Sequence, residues 1–274
     1  MPGPVPPRDA DAPIGVFDSG VGGLTVARAI LDQLPREPVL YVGDTARGPY
    51  GPRPIAEVRA FALDVMDHLV DEGVKALVIA CNSASAAVLR DARERYAVPV
   101  VEVIQPAVRR AVRATRNGRV GVIGTQATIG SGAYAHALRQ LDAGITVFSA
   151  PCPLFVPLAE EGWVDHPATR LIAREYLLPL RIEKIDTLIL GCTHYPVLRS
   201  AIGAVMDAGV ALIDSGEAAA QEVGRTLDAE GLRNASRQRA NLKFFVSDLP
   251  AKFAEIGERF LGEKMGRVER VSGF

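Results

Sequence analysis

The amino-acid sequence predicts an α/β fold: two similar doubly wound parallel-sheet domains, related by pseudo-twofold symmetry, that face each other across a shared cleft. The first observation is an alternation of short aliphatic runs, typical of buried parallel strands, with longer amphipathic segments typical of helices. The second is that this alternation begins again at Gln105. The third is that one run in each half ends at a cysteine followed by polar residues, where a helix can begin.

The two halves also agree in the spacing of their landmarks. The stretch from Asp18 to Cys81 is nearly as long as the stretch from Gly124 to Cys192. In each half, a strand ending in an acidic residue follows the cysteine at almost the same distance. We therefore interpret the chain as a repeated α/β unit with equivalent strand ends in the two copies.

The repeat leads to a division of the chain into domains. Residues 1–13, rich in proline and charge, are predicted to be a disordered tail. Residues 14–104 together with 214–274 are assigned to the first α/β domain, and residues 105–213 to the second. The last segment is assigned to the first domain because the second repeat is complete where it begins.

Composition narrows the possible functions. With 31 Lys plus Arg against 32 Asp plus Glu, the 274 residues carry a net charge of −1, so no nucleic-acid partner is expected. Three cysteines are too few for a disulfide framework and indicate a reducing, cytoplasmic location. No secretory signal or membrane span is expected from the aliphatic runs. No His and Cys spacing is typical of a metal site, so neither metal nor cofactor is expected.

Two stretches of similar pattern carry the chemistry. VKALVIACNSAS ends a strand at Cys81, and IDTLILGCTHYP ends one at Cys192. Open α/β sheets bind ligands at the carboxyl ends of their strands, and a thiol has an unperturbed pKa of roughly 8.5, near enough to neutrality for proton transfer. Two facing thiols could remove a proton from one face of a carbon and return one to the other, which inverts a stereocentre.

Neighbouring polar residues suit a small carboxylic acid. Hydroxyl, amide and helix-start N–H groups could bind its carboxylate, at Asn82, Ser83, Thr125, Thr128 and Thr193. Titratable groups could orient an ammonium or set the protonation of each thiol, at Asp18, Glu160 and His194.

Plainer interpretations remain open for several of these residues. A single cysteine after an aliphatic strand is usually a small buried hydrophobe, and we interpret Cys152, between two prolines, in that way. Asp18 could be a helix-capping residue. The glycine-rich turn that follows it could cradle an anion or could be only a tight turn.

Six segments, occurring in order between Ile14 and about Gly262, resemble the cofactor-independent aspartate/glutamate racemase family, and the bacterial glutamate racemases in particular. They are GVFDSGVGGLTV, YVGDTARGPYG, VIACNSASA, GVIGTQATI, FVPLAEEG and LILGCTHYP. The resemblance implies that Cys81 and Cys192 are the proton donor and acceptor. Asp18 would then assist Cys81, while Glu160 and His194 would assist Cys192.

The resemblance also implies a substrate and its contacts. It implies interconversion of L- and D-glutamate, which supplies D-glutamate for peptidoglycan, by an enzyme that forms a homodimer. The implied substrate contacts are Asp18, Ser19, Tyr50, Gly51, Asn82, Ser83, Thr193 and His194. One departure is visible, because Ser83 stands where many members have threonine, so the hydroxyl is retained but the packing is expected to differ.

Two alternatives remain open. The thiol pair would equally serve an aspartate or hydantoin racemase, or a related isomerase or decarboxylase of small carboxylic acids. From a different class, the chain could be a two-lobed binding module that closes on a small anion without chemistry. The paired cysteines have no evident purpose in such a module.

Overall fold

Two parallel β-sheets covered by helices form the framework of the protein. The structure, a computed structural model, describes residues 9–236, 238 and 240–273, so most of the predicted tail lies outside the described residues. In chain order the strands are β1 (Ile14–Asp18), β2 (Val39–Gly43), β3 (Ala76–Ile79), β4 (Val100–Glu102), β5 (Arg119–Gly124), β6 (Thr146–Pro151), β7 (Thr187–Gly191), β8 (Ala211–Asp214), β9 (Leu242–Val246) and β10 (Val268–Arg270).

Helices connect successive strands. They are α1 (Leu24–Gln33), α2 (Ile55–Asp71), α3 (Asn82–Arg95), α4 (Ile104–Ala114), α5 (Gln126–Gly130), α6 (Ala133–Leu141), α7 (Phe155–Glu160), α8 (Pro167–Ile182), α9 (Arg199–Val205), α10 (Ser215–Ala229) and α11 (Pro250–Leu261), with a 3₁₀ turn at Tyr195–Leu198. Within the described part of the chain, no helix combines the length and the apolar character that a membrane span requires.

The two sheets share one strand order. The first runs β10-β9-β2-β1-β3-β4 and the second β6-β5-β7-β8, and every pairing in both is parallel. The first four strands of each half are thus arranged alike, and β9 and β10 extend the first sheet beyond β2. The predicted α/β architecture with two parallel sheets is confirmed. The residue boundaries of the two domains stay a prediction.

The central strands are buried on both faces. Every residue of β1, β2, β3 and β7 is buried, which explains why these segments are continuous aliphatic runs in the sequence. The edge strand β6 is only partly buried along its length. Its mixed composition, TVFSAP, therefore lacks the continuous aliphatic run that predicts a buried strand.

Two local features interrupt the simple alternation of strand and helix. The segment after β5 forms two helices, α5 and α6, because Gly132 between them has a left-handed φ of 68°. After Cys192 the chain forms the 3₁₀ turn before α9 begins at Arg199.

The two halves approach each other closely through glycines near the strand ends. A Cβ at Gly22 would lie 2.4 Å from side-chain atoms of Thr193 and His194, and a Cβ at Gly51 would lie 2.9 Å from Thr125. No side chain fits at such distances, so the glycine contacts bring the strand ends of one half against those of the other.

Candidate active site

Four strand ends converge on one cavity between the two sheets. Ser19 follows β1 and Cys81 follows β3 in the first half, while Thr125 follows β5 and Cys192 follows β7 in the second. The arrangement follows from the parallel topology, which places all carboxyl ends of a sheet at one edge.

The cavity is small and is lined from both halves. Its volume of about 200 Å³ is below the roughly 300–1,000 Å³ typical of pockets for drug-sized ligands, so it suits a small molecule. The lining residues are Ser19, Pro49, Gly51, Pro52, Cys81, Asn82, Ser83, Thr125, Gln126, Pro153, Val156, Pro157, Cys192, Thr193 and His194.

Cys81 lies at the N-terminus of α3, and its side chain is 5% exposed. The thiol donates toward Ser19 Oγ at 3.8 Å, and the backbone N–H of Ala84 points at the sulfur. Burial first and the nearby Asp18 carboxylate second raise the pKa of Cys81 to about 12, although the two hydrogen bonds lower it. In the substrate-free protein Cys81 is therefore a thiol at neutral pH.

Cys192 is coupled to a histidine and a carboxylate. Its sulfur lies 3.8 Å from His194 Nδ1, and His194 Nε2 lies 2.9 Å from Glu160 Oε1. Burial alone would lower the pKa of His194, but the hydrogen bonds to Cys192 and Glu160 outweigh it and raise that pKa to about 10. His194 is thus an imidazolium at neutral pH, and it places a positive charge beside the Cys192 sulfur.

Asp18 is buried beside the cavity rather than exposed on its wall. Its Oδ1 accepts a hydrogen bond from the backbone N–H of Gly20 at 2.9 Å, and Thr193 Oγ1 donates to its Oδ2 at 3.4 Å. Burial raises the pKa of Asp18, while the positive charge of His194 opposes that rise. The carboxylate therefore contacts both the turn after β1 and the residue that follows Cys192.

Three hydroxyl groups form a cluster at one end of the cavity. Ser83 Oγ lies 2.9 Å from Thr125 Oγ1 and 3.2 Å from Thr128 Oγ1, and the two threonine hydroxyls lie 3.1 Å apart. Ser83 belongs to α3 in the first half; in the second half, Thr125 directly precedes α5 and Thr128 lies within it. The cluster therefore links the halves and places several hydrogen-bonding groups at the cavity.

The structure brings together most of the residues that the sequence indicated. Nine of them line the cavity, namely Ser19, Gly51, Cys81, Asn82, Ser83, Thr125, Cys192, Thr193 and His194. Glu160 instead lines an adjoining cavity of about 400 Å³, which shares Ser19 and His194 with the first. Asp18 and Thr128 reach the first cavity through their bonds to residues on its wall.

The implied substrate contact at Tyr50 is less direct than the others. The Tyr50 side chain is fully buried and donates a hydrogen bond of 2.5 Å to Asp44 Oδ2, so the lining of the cavity comes from its neighbours Pro49 and Gly51. Cys152 is buried, with its thiol 3.6 Å from the carbonyl of Ala150, and it is not on the cavity wall.

Sequence reasoning missed several residues that shape the cavity. They are Pro49, Pro52, Gln126, Pro153, Val156 and Pro157. Prolines that flank a polar site are a signal for loops lying over a cleft. All of these residues lie within or next to the six sequence segments that resemble the racemase family. Among the described residues, no three His, Cys, Asp or Glu side chains are placed to hold a metal ion.

Comparison with known proteins gives consistent matches over almost the whole chain. A family model described as Asp/Glu/Hydantoin racemase matches residues 14–223. Glutamate racemase from Beutenbergia cavernae is 56% identical, covering 94% of this chain and 92% of the relative.

Two solved structures are also similar. A glutamate racemase isoform from Bacillus anthracis has 42% identity and a TM-score of 0.92, covering 95% of this chain and 97% of that one. The Francisella tularensis glutamate racemase, solved in complex with D-glutamate, has 41% identity and a TM-score of 0.90. The match covers 96% of this chain and 98% of that one.

Proposed function

The chain belongs to the Asp/Glu/hydantoin racemase family and is an amino-acid racemase, and on that premise we propose that it interconverts L- and D-glutamate by proton transfer through Cys81 and Cys192. One observation carries the proposal. Two cysteines, one from each half, lie at equivalent strand ends and line the same small cavity.

Proton transfer between two thiols accounts for inversion without a further reactant. In one direction, a Cys81 thiolate takes the proton from Cα, and the electron pair left on carbon is delocalised into the α-carboxylate. The Cys192 thiol then gives its proton to the opposite face of Cα and becomes the thiolate. In the other direction the roles are exchanged, and exchange of protons with water restores the starting state.

The negative charge that develops on the α-carboxylate needs hydrogen-bond donors already in place. The cavity wall supplies the Asn82 amide and the Ser83 hydroxyl. Ser83 is held by its hydrogen bonds within the hydroxyl cluster. Little rearrangement is then needed during the reaction.

The two thiols differ in their surroundings. Cys192 faces the His194 imidazolium at 3.8 Å, which places a positive charge beside its sulfur whenever Cys192 acts as the base. Cys81 rests as the thiol, because burial and Asp18 raise its pKa. An ammonium group bound near Asp18 would offset that effect and allow Cys81 to act as the base for the other enantiomer.

The wider role also remains a proposal. D-Glutamate made in the cytoplasm would supply peptidoglycan synthesis, and the enzyme would act as a homodimer. Support for these points comes from the resemblance of the six sequence segments and from the relatives named glutamate racemase.

A panel of four substrates tests the proposed function. We expect racemisation of L- and D-glutamate, with kcat/KM for either aspartate enantiomer lower by at least about 10²-fold, because a side chain one methylene shorter would leave unpaired the polar groups that a site for glutamate presents to the distal carboxylate. Chiral chromatography of the products measures each rate. Faster turnover of aspartate than of glutamate would identify an aspartate racemase, and no turnover of any of the four would contradict the proposal.

A further inference from the structure

We propose that Tyr134 is a positioning residue that holds the Asn82 side chain so that its amide nitrogen, rather than its oxygen, is available to the substrate carboxylate. The inference rests on the proposed function and adds to it a residue outside the wall of the cavity. Tyr134 lies on α6 and is only 2% exposed.

The contact that carries the inference is short and buried. The Tyr134 hydroxyl donates a hydrogen bond of 2.6 Å to Asn82 Oδ1, and Asn82 itself is 3% exposed. Asn82 is the first residue of α3 and directly follows Cys81. The hydroxyl therefore fixes a side chain that lies immediately beside a proposed proton-transfer group.

The other end of the same amide is unpartnered. Asn82 Nδ2 is buried and has no hydrogen-bond partner among the described residues, although Asn82 lines the cavity. Buried polar groups in folded proteins are nearly always hydrogen-bonded, so an unpaired one needs an explanation. A carboxylate oxygen in the cavity is the partner that an amide N–H₂ group lacks.

The orientation of the amide matters because its two ends have opposite hydrogen-bonding character. If the side chain turned over, Oδ1 would take the place of Nδ2, and an acceptor would then oppose the negatively charged carboxylate. Occupation of Oδ1 by the Tyr134 hydroxyl opposes that turn. Tyr134 thus decides whether the cavity presents a donor or an acceptor at this point.

The hydrogen bond also joins the two halves of the protein. Asn82 follows β3 of the first sheet, and Tyr134 lies on a helix that follows β5 of the second. The bond exists only when the halves are together, as in this structure. A residue of the second half therefore fixes an amide of the first.

The test is the Tyr134→Phe variant, in which the ring is kept and the hydroxyl is lost. We expect KM for both glutamate enantiomers to rise by about tenfold, with kcat falling by less, because one properly placed hydrogen bond to a charged group accounts for a factor of that size. Tyr96→Phe is the matched control. Tyr96 follows the last residue of α3, the helix that Asn82 begins, and its hydroxyl donates to Asp67 Oδ1 at 2.7 Å. The KM of Tyr96→Phe is expected to match that of the wild type.

A double-mutant cycle separates positioning from loss of structure. In an Asn82→Ala background, adding Tyr134→Phe is expected to change KM by less than about twofold, because the amide that Tyr134 holds is already gone. Equal effects of Tyr134→Phe in both backgrounds would overturn the proposal.

A further variant keeps the test valid if Tyr134→Phe folds poorly. Asn82→Asp retains an acceptor for the Tyr134 hydroxyl but removes the N–H₂ donor, so its melting temperature is expected to stay near that of the wild type while glutamate affinity falls. Wild-type affinity in Asn82→Asp would overturn the inference. A wild-type enzyme that leaves glutamate unchanged would overturn the proposed function itself, which the substrate panel detects separately.

Discussion

Replacing either Cys81 or Cys192 by serine is expected to lower kcat in both directions by roughly 10²–10⁴-fold, the usual contribution of a positioned acid or base. A serine hydroxyl is a far weaker acid than a thiol, so it supplies neither the base nor the proton at neutral pH. Both directions are affected because each thiol acts in each direction, once as base and once as acid. Initial rates with L- and D-glutamate, measured separately, give the two values.

Cys152→Ser is the matched control for these variants. Cys152 is buried like the other two cysteines, but it does not line the cavity, and a serine there can still donate to the carbonyl of Ala150. Its kcat is expected to stay within about threefold of the wild type, because nothing that contacts the substrate changes. If Cys81→Ser or Cys192→Ser retained activity as Cys152→Ser does, proton transfer through these thiols would be excluded.

Replacing Glu160 by glutamine is expected to shift the pH dependence of the enzyme. The pKa of His194 is about 10 in the folded protein and depends in part on Glu160. The imidazolium beside Cys192 is therefore present at neutral pH and is lost as the pH rises through about 10. Without the carboxylate, that pKa falls, and activity is expected to decline with rising pH roughly 1–3 pH units earlier.

The sign of the effect on folding follows from the same pKa. Because His194 has a higher pKa in the folded than in the unfolded protein, its contribution to the free energy of unfolding is complete below about pH 6.5 and disappears as the pH rises through about 10. In Glu160→Gln this contribution is expected to disappear at lower pH. Urea unfolding across that range measures it alongside the pH profile of kcat.

Glu161→Gln is the control for the pH experiment. Glu161 is exposed and follows Glu160 at the end of α7, so the same change of charge is made one residue from the His194 contact. Its pH profile is expected to match that of the wild type. Equal shifts in the two variants, or no shift in either, would show that the Glu160 to His194 bond does not control the ionisation of the site.

The sequence predicted the parts of the site that depend on strand ends. Cys81 and Cys192 follow continuous aliphatic runs, and in a parallel sheet such runs bring their carboxyl ends to one edge. Side chains that lie behind the cavity wall, and contact only the residues that form it, were harder to predict. Neither the fully buried side chain of Tyr50 nor the hydrogen bond from Tyr134 to Asn82 leaves a periodic pattern, because both depend on contacts between distant segments.

Two local elements of the fold were not predicted, one because its strand is incompletely buried and one because a glycine changes the backbone direction. The edge strand β6 carries exposed positions and polar residues, so it lacks the aliphatic run of a central strand. The break between α5 and α6 depends on the left-handed conformation of Gly132, which helical periodicity does not reveal. Both lie away from the two cysteine strands, and their omission did not affect the predicted site.

The most direct measurement of the two-thiol mechanism is the position of solvent deuterium in the early products. L-Glutamate with ordinary hydrogen at Cα is incubated with the enzyme in deuterated water, and both enantiomers are analysed by mass spectrometry while conversion is still low. We expect the D-glutamate formed to carry deuterium at Cα while the remaining L-glutamate keeps its original proton, because one thiol removes the proton and the other, already exchanged with solvent, delivers the replacement. D-Glutamate that retains the original proton would contradict that mechanism.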